Sequence, residues 1–282
     1  MVFVINVLES WPRYERDKKF LNYSPHTLKS YKIQCRLLHE FIGDMDMGEV
    51  TYEQLKDYFA EQGHLKPASI GHRVRFVQSL FRWAIDEGYI PKNPATKLRE
   101  PKIGLRVPKF LSEEDMEALR ESCRCPKEHA IVEFMYTTGC RKGEVSLVDK
   151  KDINWGNKSV IVMGKGDKER EVYFNSKCFF WLKKYVESRK DNDPALFVTD
   201  RAPRRMSIAR MREIIKAVAV RADIEASVYP HRLRHSYATH LLDNGAPMEA
   251  IQQLMGHAKQ ETTQLYARLS GERRKELYKR YF

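Results

Sequence analysis

Four prolines, Pro91, Pro94, Pro101 and Pro108, crowd one stretch of the chain together with Gly104. A proline has a fixed φ and no backbone N–H, so neither a helix nor a central strand runs through such a stretch. The chain must therefore build two bodies. Residues 1–94 are expected to form the first and 110–282 the second, with 95–109 as the connection. A length of 282 residues suits that division, since each part can bury a core of its own.

Charge is spread over both parts. Residues 1–109 hold 18 basic and 13 acidic side chains, and the remainder 32 and 25, for a net charge of +12. A distributed positive field points to a polyanion, nucleic acid first and an anionic membrane surface second. No apolar run approaches the roughly 20 residues that a bilayer span needs, and Met1 to Leu8 lacks the flanks of a signal peptide. The five cysteines are odd in number and scattered, as expected of free thiols in a reducing, cytoplasmic setting.

Upstream of the proline stretch the pattern is helical. Ser24-Pro25 supplies an N-cap and an N1 proline, and Leu28, Tyr31, Cys35, Leu38 and Ile42 follow at helical spacing. Thr51 to Gln54 forms a capping box ahead of Leu55, Tyr58 and Phe59. A helix from Pro67 puts Ile70, Val74, Val77, Phe81 and Ile85 on one face and His72, Arg75, Ser79 and Arg82 on the other. Lys29, Lys32 and Arg36 share a face of the earlier helix. A solvated polar face is the plain explanation of either row, but two basic rows in one small helical body also suit a DNA-facing surface.

Downstream, Ser112 to Asp115 is another capping box, and Ala130, Ile131, Phe134 and Met135 mark an apolar helix face. Residues 153–174 read as a three-stranded meander whose second turn carries Lys165 at its tip. Helical spacing resumes over about 176–190, 207–222, 231–244, 247–255 and 261–269. The expected fold is mainly α with a small antiparallel β-sheet.

Several constellations could carry chemistry. In Thr138-Gly-Cys-Arg-Lys-Gly-Glu144, Arg141 stands at the start of a short helix with Glu144 in reach to pair with it or cap the turn. Gly164-Lys165-Gly166 lacks Walker spacing and lies between strands, which argues against ATP binding. His231 and Arg234 are three apart after Pro230 and so share one face of a helix near its N-terminus, a pairing that suits a phosphodiester. His257 and Tyr266 could act together only if the helix breaks between them, and Gly256 to Gln260 supplies a break. Cys123, Cys125 and His129 lack a second pair at zinc spacing, so no metal is expected.

Taken together, Thr138 to Glu144, Gly164 to Arg170, His231-Arg-Leu-Arg-His and the run from Ile251 through Gly256-His257 to Tyr266 resemble the tyrosine recombinase (phage integrase) family, especially its compact Xer-like members. The resemblance implies a helical, SAM-like core-binding domain ahead of a catalytic domain. It further implies a 3′-phosphotyrosyl intermediate formed by Tyr266, with Arg141 and Arg234 on the phosphate oxygens. Lys165 and His231 are the implied proton donor and acceptor, His257 a phosphate partner and Glu144 an orienting group. No cofactor is implied. DNA contacts fall to Lys29, Lys32, Arg36, His72, Arg75, Arg82, Lys102, Arg106 and Lys109. The implied partners are double-stranded DNA and a homotetramer on two duplexes, or a heteromer with a related recombinase, with the basic, aromatic tail 272–282 docked on a neighbour. A relaxing topoisomerase, a non-catalytic DNA-binding protein on the same scaffold and a metal-dependent nuclease are the competing expectations.

Overall fold

The computed structural model describes residues 5–104, 109–164, 169–224 and 227–256. The chain divides into two compact units, Met1–Leu105 and Arg106–Phe282.

The first unit is built from α1 (Val7–Phe20), α2 (Pro25–Ile42), α3 (Tyr52–Ala60) and α4 (Pro67–Asp86). Side chains cap three of them: Asn6 accepts from the Glu9 N–H, Ser24 from Thr27 and Thr51 from Gln54, each worth about 1 kcal/mol. The spacing arguments mark no helix over α1, because Pro12 lies inside it and only a narrow stripe of Val7, Trp11 and Tyr14 is apolar enough to be buried. That stripe alters α4. Tyr14 packs edge-on against Phe76 and Trp83, and its hydroxyl meets the Ser79 hydroxyl at 2.7 Å. Ser79, expected on the open polar side, is thus covered by α1, and the basic row of α4 narrows. The unit's core extends through Ala95 and Leu98, past the point where the prolines begin.

The second unit holds α5 (Glu113–Glu121), α6 (Pro126–Thr137), α7 (Lys142–Leu147), α8 (Ser176–Ser188), α9 (Ile208–Arg221), α10 (Pro230–Asp243) and α11 (Met248–Met255). Its sheet is the antiparallel meander β1 (Ile153–Asn154), β2 (Ser159–Met163) and β3 (Glu169–Tyr173), with Val160 opposite Val172 and Val162 opposite Arg170. Val160, Val162 and Val172 turn inward onto a core shared with Phe134, Phe174 and Phe197. Helix α6 is almost wholly buried, which accounts for its weak amphipathic pattern, and it packs against α8, α9 and α10. The ends of α6, α10 and α11 lie together, and the site is assembled there. Among the described residues no helix is long and apolar enough to cross a membrane.

Candidate active site

Helix α6 must stop abruptly to deliver Arg141. Thr138 caps it, and Gly139 follows at φ +58°, where a Cβ would fall 2.5 Å from the Tyr237 ring. Only glycine fits both the left-handed backbone and that gap. Cys140 then buries its side chain, the burial pushing its thiol up to about 11, and Arg141 becomes the N-cap of α7. The Arg141 N–H donates to Glu144 Oε2 at 2.6 Å, while its guanidinium donates to Glu144 Oε1 at 2.8 Å and to the Gly256 carbonyl at 2.7 Å. Glu144 therefore does both things the spacing allows. It caps the turn and holds the Arg141 side chain, about a third of which stays open to solvent.

Both Glu144 oxygens are also taken by Arg170 on β3, through Nη1 at 2.8 Å and Nη2 at 2.7 Å. Burial alone would raise the Glu144 pKa, but hydrogen bonds from Arg170 and then Arg141 hold it below the ordinary carboxylate range. A bidentate, mostly buried pair of this kind is stiff, and losing the arginine would leave the buried carboxylate with Arg141 as its cation, at a cost below the roughly 3–5 kcal/mol of a buried charge left with no partner. Arg170 ends the Gly164-to-Arg170 motif, and the family resemblance implies no role for it. Its signal was the two-residue alternation of β3, which turns Arg170 to the same side as buried Val172 and so demands a partner for the charge.

Arg234 comes from the other side. Pro230 opens α10, and Arg234 lies one turn in, 4% exposed. It donates to the Gly139 carbonyl, and to the Met255 carbonyl at 2.6 Å. Besides Glu144, which Arg141 also uses, the acceptors for the two arginines are carbonyls that end α6 and α11, groups without intrahelical partners at the negative ends of two helix dipoles. Gly256 caps α11 in the left-handed conformation at φ +61°, and a Cβ there would lie 2.8 Å from Arg170 Nε. His231, beside them, keeps an exposed edge. Protein packed round the rest of its ring, and then the charges of Lys142, Arg234, Arg141 and Arg212, hold its pKa below the ordinary histidine range. A lowered pKa favours the neutral ring, the form that can accept a proton.

The structure brings Arg141, Glu144, His231 and Arg234 together; Lys165, His257 and Tyr266 lie outside the described residues, as do Arg106 and the tail 272–282. In the first unit Lys29, Lys32, Arg36, Arg82 and Lys102 are exposed, as is Lys109 in the second. Arg75 is exposed but ion-paired with Glu100. His72 is half-buried, its ring 6.2 Å from that of Tyr31, and burial followed by the Arg75 charge lowers its pKa. Among the described residues no cluster of His, Cys, Asp or Glu could hold a metal ion, and His129 stacks flat on Trp181 at 3.7 Å.

Residues 109–273 match the phage integrase family and residues 7–99 the phage integrase SAM-like domain. Tyrosine recombinase XerC of Oceanobacillus iheyensis is 29% identical over 274 residues, covering 91% of this chain and 90% of that protein. The XerC of Staphylococcus aureus is 30% identical over 272 residues, with coverage of 91% and 90%. The crystal structure of XerH site-specific recombinase bound to a palindromic difH substrate shares the fold with a TM-score of 0.77 at 19% identity, covering 96% of this chain and 84% of that one. The non-catalytic alternative falls away, and the chain belongs to the phage integrase family as a site-specific tyrosine recombinase, an enzyme that cuts and rejoins DNA.

Proposed function

We propose that Arg141 and Arg234 clamp the non-bridging oxygens of one scissile phosphate while Tyr266 attacks it. The observation that carries this reading is the anchoring of both guanidiniums by helix-end carbonyls beside an exposed His231. Donors held in advance stabilise the charge of a five-coordinate phosphorus without reorganising during the reaction. The Tyr266 oxygen forms a bond to phosphorus, its proton passes to His231, and the bond to the 5′-oxygen breaks with a proton from Lys165. His257 adds a hydrogen bond to the phosphate, and Glu144 orients rather than reacts. Because the 3′-phosphotyrosyl link conserves a phosphoester, a second 5′-hydroxyl can reverse the step without ATP or metal.

Substrate binding follows from the same reading. Lys29, Lys32, Arg36, Arg75, Arg82 and, less openly, His72 face duplex DNA from a core-binding domain over 1–94. The 95–109 segment, whose first residues Ala95 and Leu98 pack into that domain's core, carries Lys102, Arg106 and Lys109 and joins it to the catalytic domain over 110–282. Four copies act on two duplexes, alone or with a related recombinase, each tail 272–282 docking on a neighbour. Five free thiols fit a cytoplasmic setting.

A DNA substrate nicked so that the cut strand cannot religate tests the chemistry. Wild type should form a covalent adduct, in EDTA as well as in magnesium, and Tyr266→Phe should form none. An undiminished adduct in the variant removes Tyr266 as nucleophile, and an adduct that needs the metal restores the nuclease alternative.

A further inference from the structure

We infer that Arg170 is a positioning residue for strand cleavage, acting through Glu144 and Gly256 to set where the Arg141 guanidinium points. The inference rests on the proposed phosphate-clamping role of Arg141. Three observations converge on it. Arg170 fills both oxygens of Glu144, the carboxylate that also holds Arg141 Nη1. Its Nε and Cδ lie so close to Gly256 that a Cβ there would sit 2.8–2.9 Å away, so the Arg170 stem is a wall against which the α11 cap rests. The Gly256 carbonyl, placed by that cap, accepts from Arg141 Nη2.

Arg141 is thus held at two points, a carboxylate and a carbonyl, and Arg170 touches the groups that supply both. The geometry asks for an arginine. The fork delivers two parallel N–H bonds to one carboxylate, which a lysine ammonium cannot do, and the planar guanidinium, through Nε, Cδ and Cζ, gives a flat surface to a residue without a side chain. If Arg170 is lost, Glu144 has only Arg141 to pair with. The carboxylate then draws Arg141 inward, away from the phosphate, while the Gly256 carbonyl loses its support. The Nε–H of Arg170 has no hydrogen-bond partner among the described residues, so its place beside Gly256 is one of packing and not of bonding.

The effect must appear where Arg141 acts, in neutralising charge on a phosphate oxygen. That separates positioning from a general loss of structure. Single-turnover cleavage at saturating DNA is measured for wild type, Arg170→Met and Arg170→Lys on a phosphodiester substrate. It is repeated on one in which a methylphosphonate replaces the scissile phosphate and removes its negative charge. Arg170→Met should cleave the phosphodiester at least tenfold more slowly and the methylphosphonate less than threefold more slowly, with Arg170→Lys in between and DNA affinity within threefold of wild type. If Arg170→Met does not fold, Arg170→Lys carries the same comparison at a smaller fold-change. Equal slowing on the two substrates, or none on the phosphodiester, overturns the inference. Arg141→Ala in the same assay checks the underlying reading: full activity there removes the clamp itself, whatever Arg170 does.

Discussion

The two units use the same residue types in opposite ways. In the first, Lys29, Lys32, Arg36 and Arg82 stand on helix faces in open solvent. In the second, Arg141, Arg170 and Arg234 are gripped by carbonyls and a carboxylate, and two of the three are largely buried. Cations in solvent gain affinity for a polyanion by releasing counterions and can shift with the backbone they meet. Guanidiniums fixed in a pocket have their ordering cost met by the fold, so they serve a transition state whose charge appears at one place. On the proposed reading, gripping DNA and cutting it are separable, and substitutions should separate them.

The largest effect is expected at Arg234. Arg234→Ala should lower the adduct-forming rate about a thousandfold, roughly 4 kcal/mol of barrier, with DNA affinity changed less than threefold. Parallel loss of affinity and rate, in a filter-binding assay beside the adduct assay, would erase the division between the units. Next comes the hinge that delivers Arg141. Gly139→Ala forces an L side chain into a left-handed backbone and against Tyr237, and should destabilise the second unit by about 3 kcal/mol. Its melting temperature should fall by about 10 °C, while Gly43→Ala in the first unit, also at positive φ but with open space around it, should cost about 1 kcal/mol.

Acid should affect the second unit for a related reason. Burial, then the charges of His231 and Arg234, push His235 down to about 4 from 6.5. The unfolded imidazole therefore takes its proton near 6.5 and the folded one only near 4. Stability is complete above the first value and is lost as pH falls through the second, by about 2 kcal/mol once the half-open surroundings are allowed for. Urea unfolding of wild type at pH 7 and pH 4.5 should reveal this drop, and His235→Gln should remove most of it. An unchanged slope in the variant would assign the acid sensitivity to other groups.

The difference between the units also decides what could be read in advance. Helices α2, α3 and α4 announced themselves because each has a cap or an N1 proline and a single apolar stripe. Helix α1 did not, since its interior proline breaks the local signal and Tyr14 is buried by rings from other elements, Tyr31 of α2 and Phe76 and Trp83 of α4. At the site, Arg141 with Glu144, and His231 with Arg234, were legible because each pair lies three residues apart on one turn. The inward turn of Arg170 was legible in the alternation of β3, but its partner, and the carbonyls of Gly139, Met255 and Gly256, were not. These pairs lie far apart along the chain, 26 residues for Arg170 and Glu144 and 115 for Arg141 and Gly256. A backbone carbonyl, moreover, carries no residue signature. Contacts that cross the sequence at such distances are fixed by packing, and packing is what spacing cannot display.

The smallest effect sharpens the comparison within the first unit. Arg75 and Arg82 lie two helical turns apart on α4, both exposed, but among the described residues only Arg75 of the two has a salt bridge, to Glu100. An exposed pair of this kind is worth at most about 1 kcal/mol, yet to reach a phosphate Arg75 must first leave its carboxylate. Arg82→Ala should therefore make the dependence of log affinity on log salt shallower by about 0.9, the value for one phosphate contact. Arg75→Ala should change the slope by less than half as much, and Glu100→Gln should steepen it by freeing the arginine. Equal slopes for the two arginine variants would mean that the ion pair opens on DNA at no cost, and that the first unit's cations are interchangeable whether or not they begin with a partner.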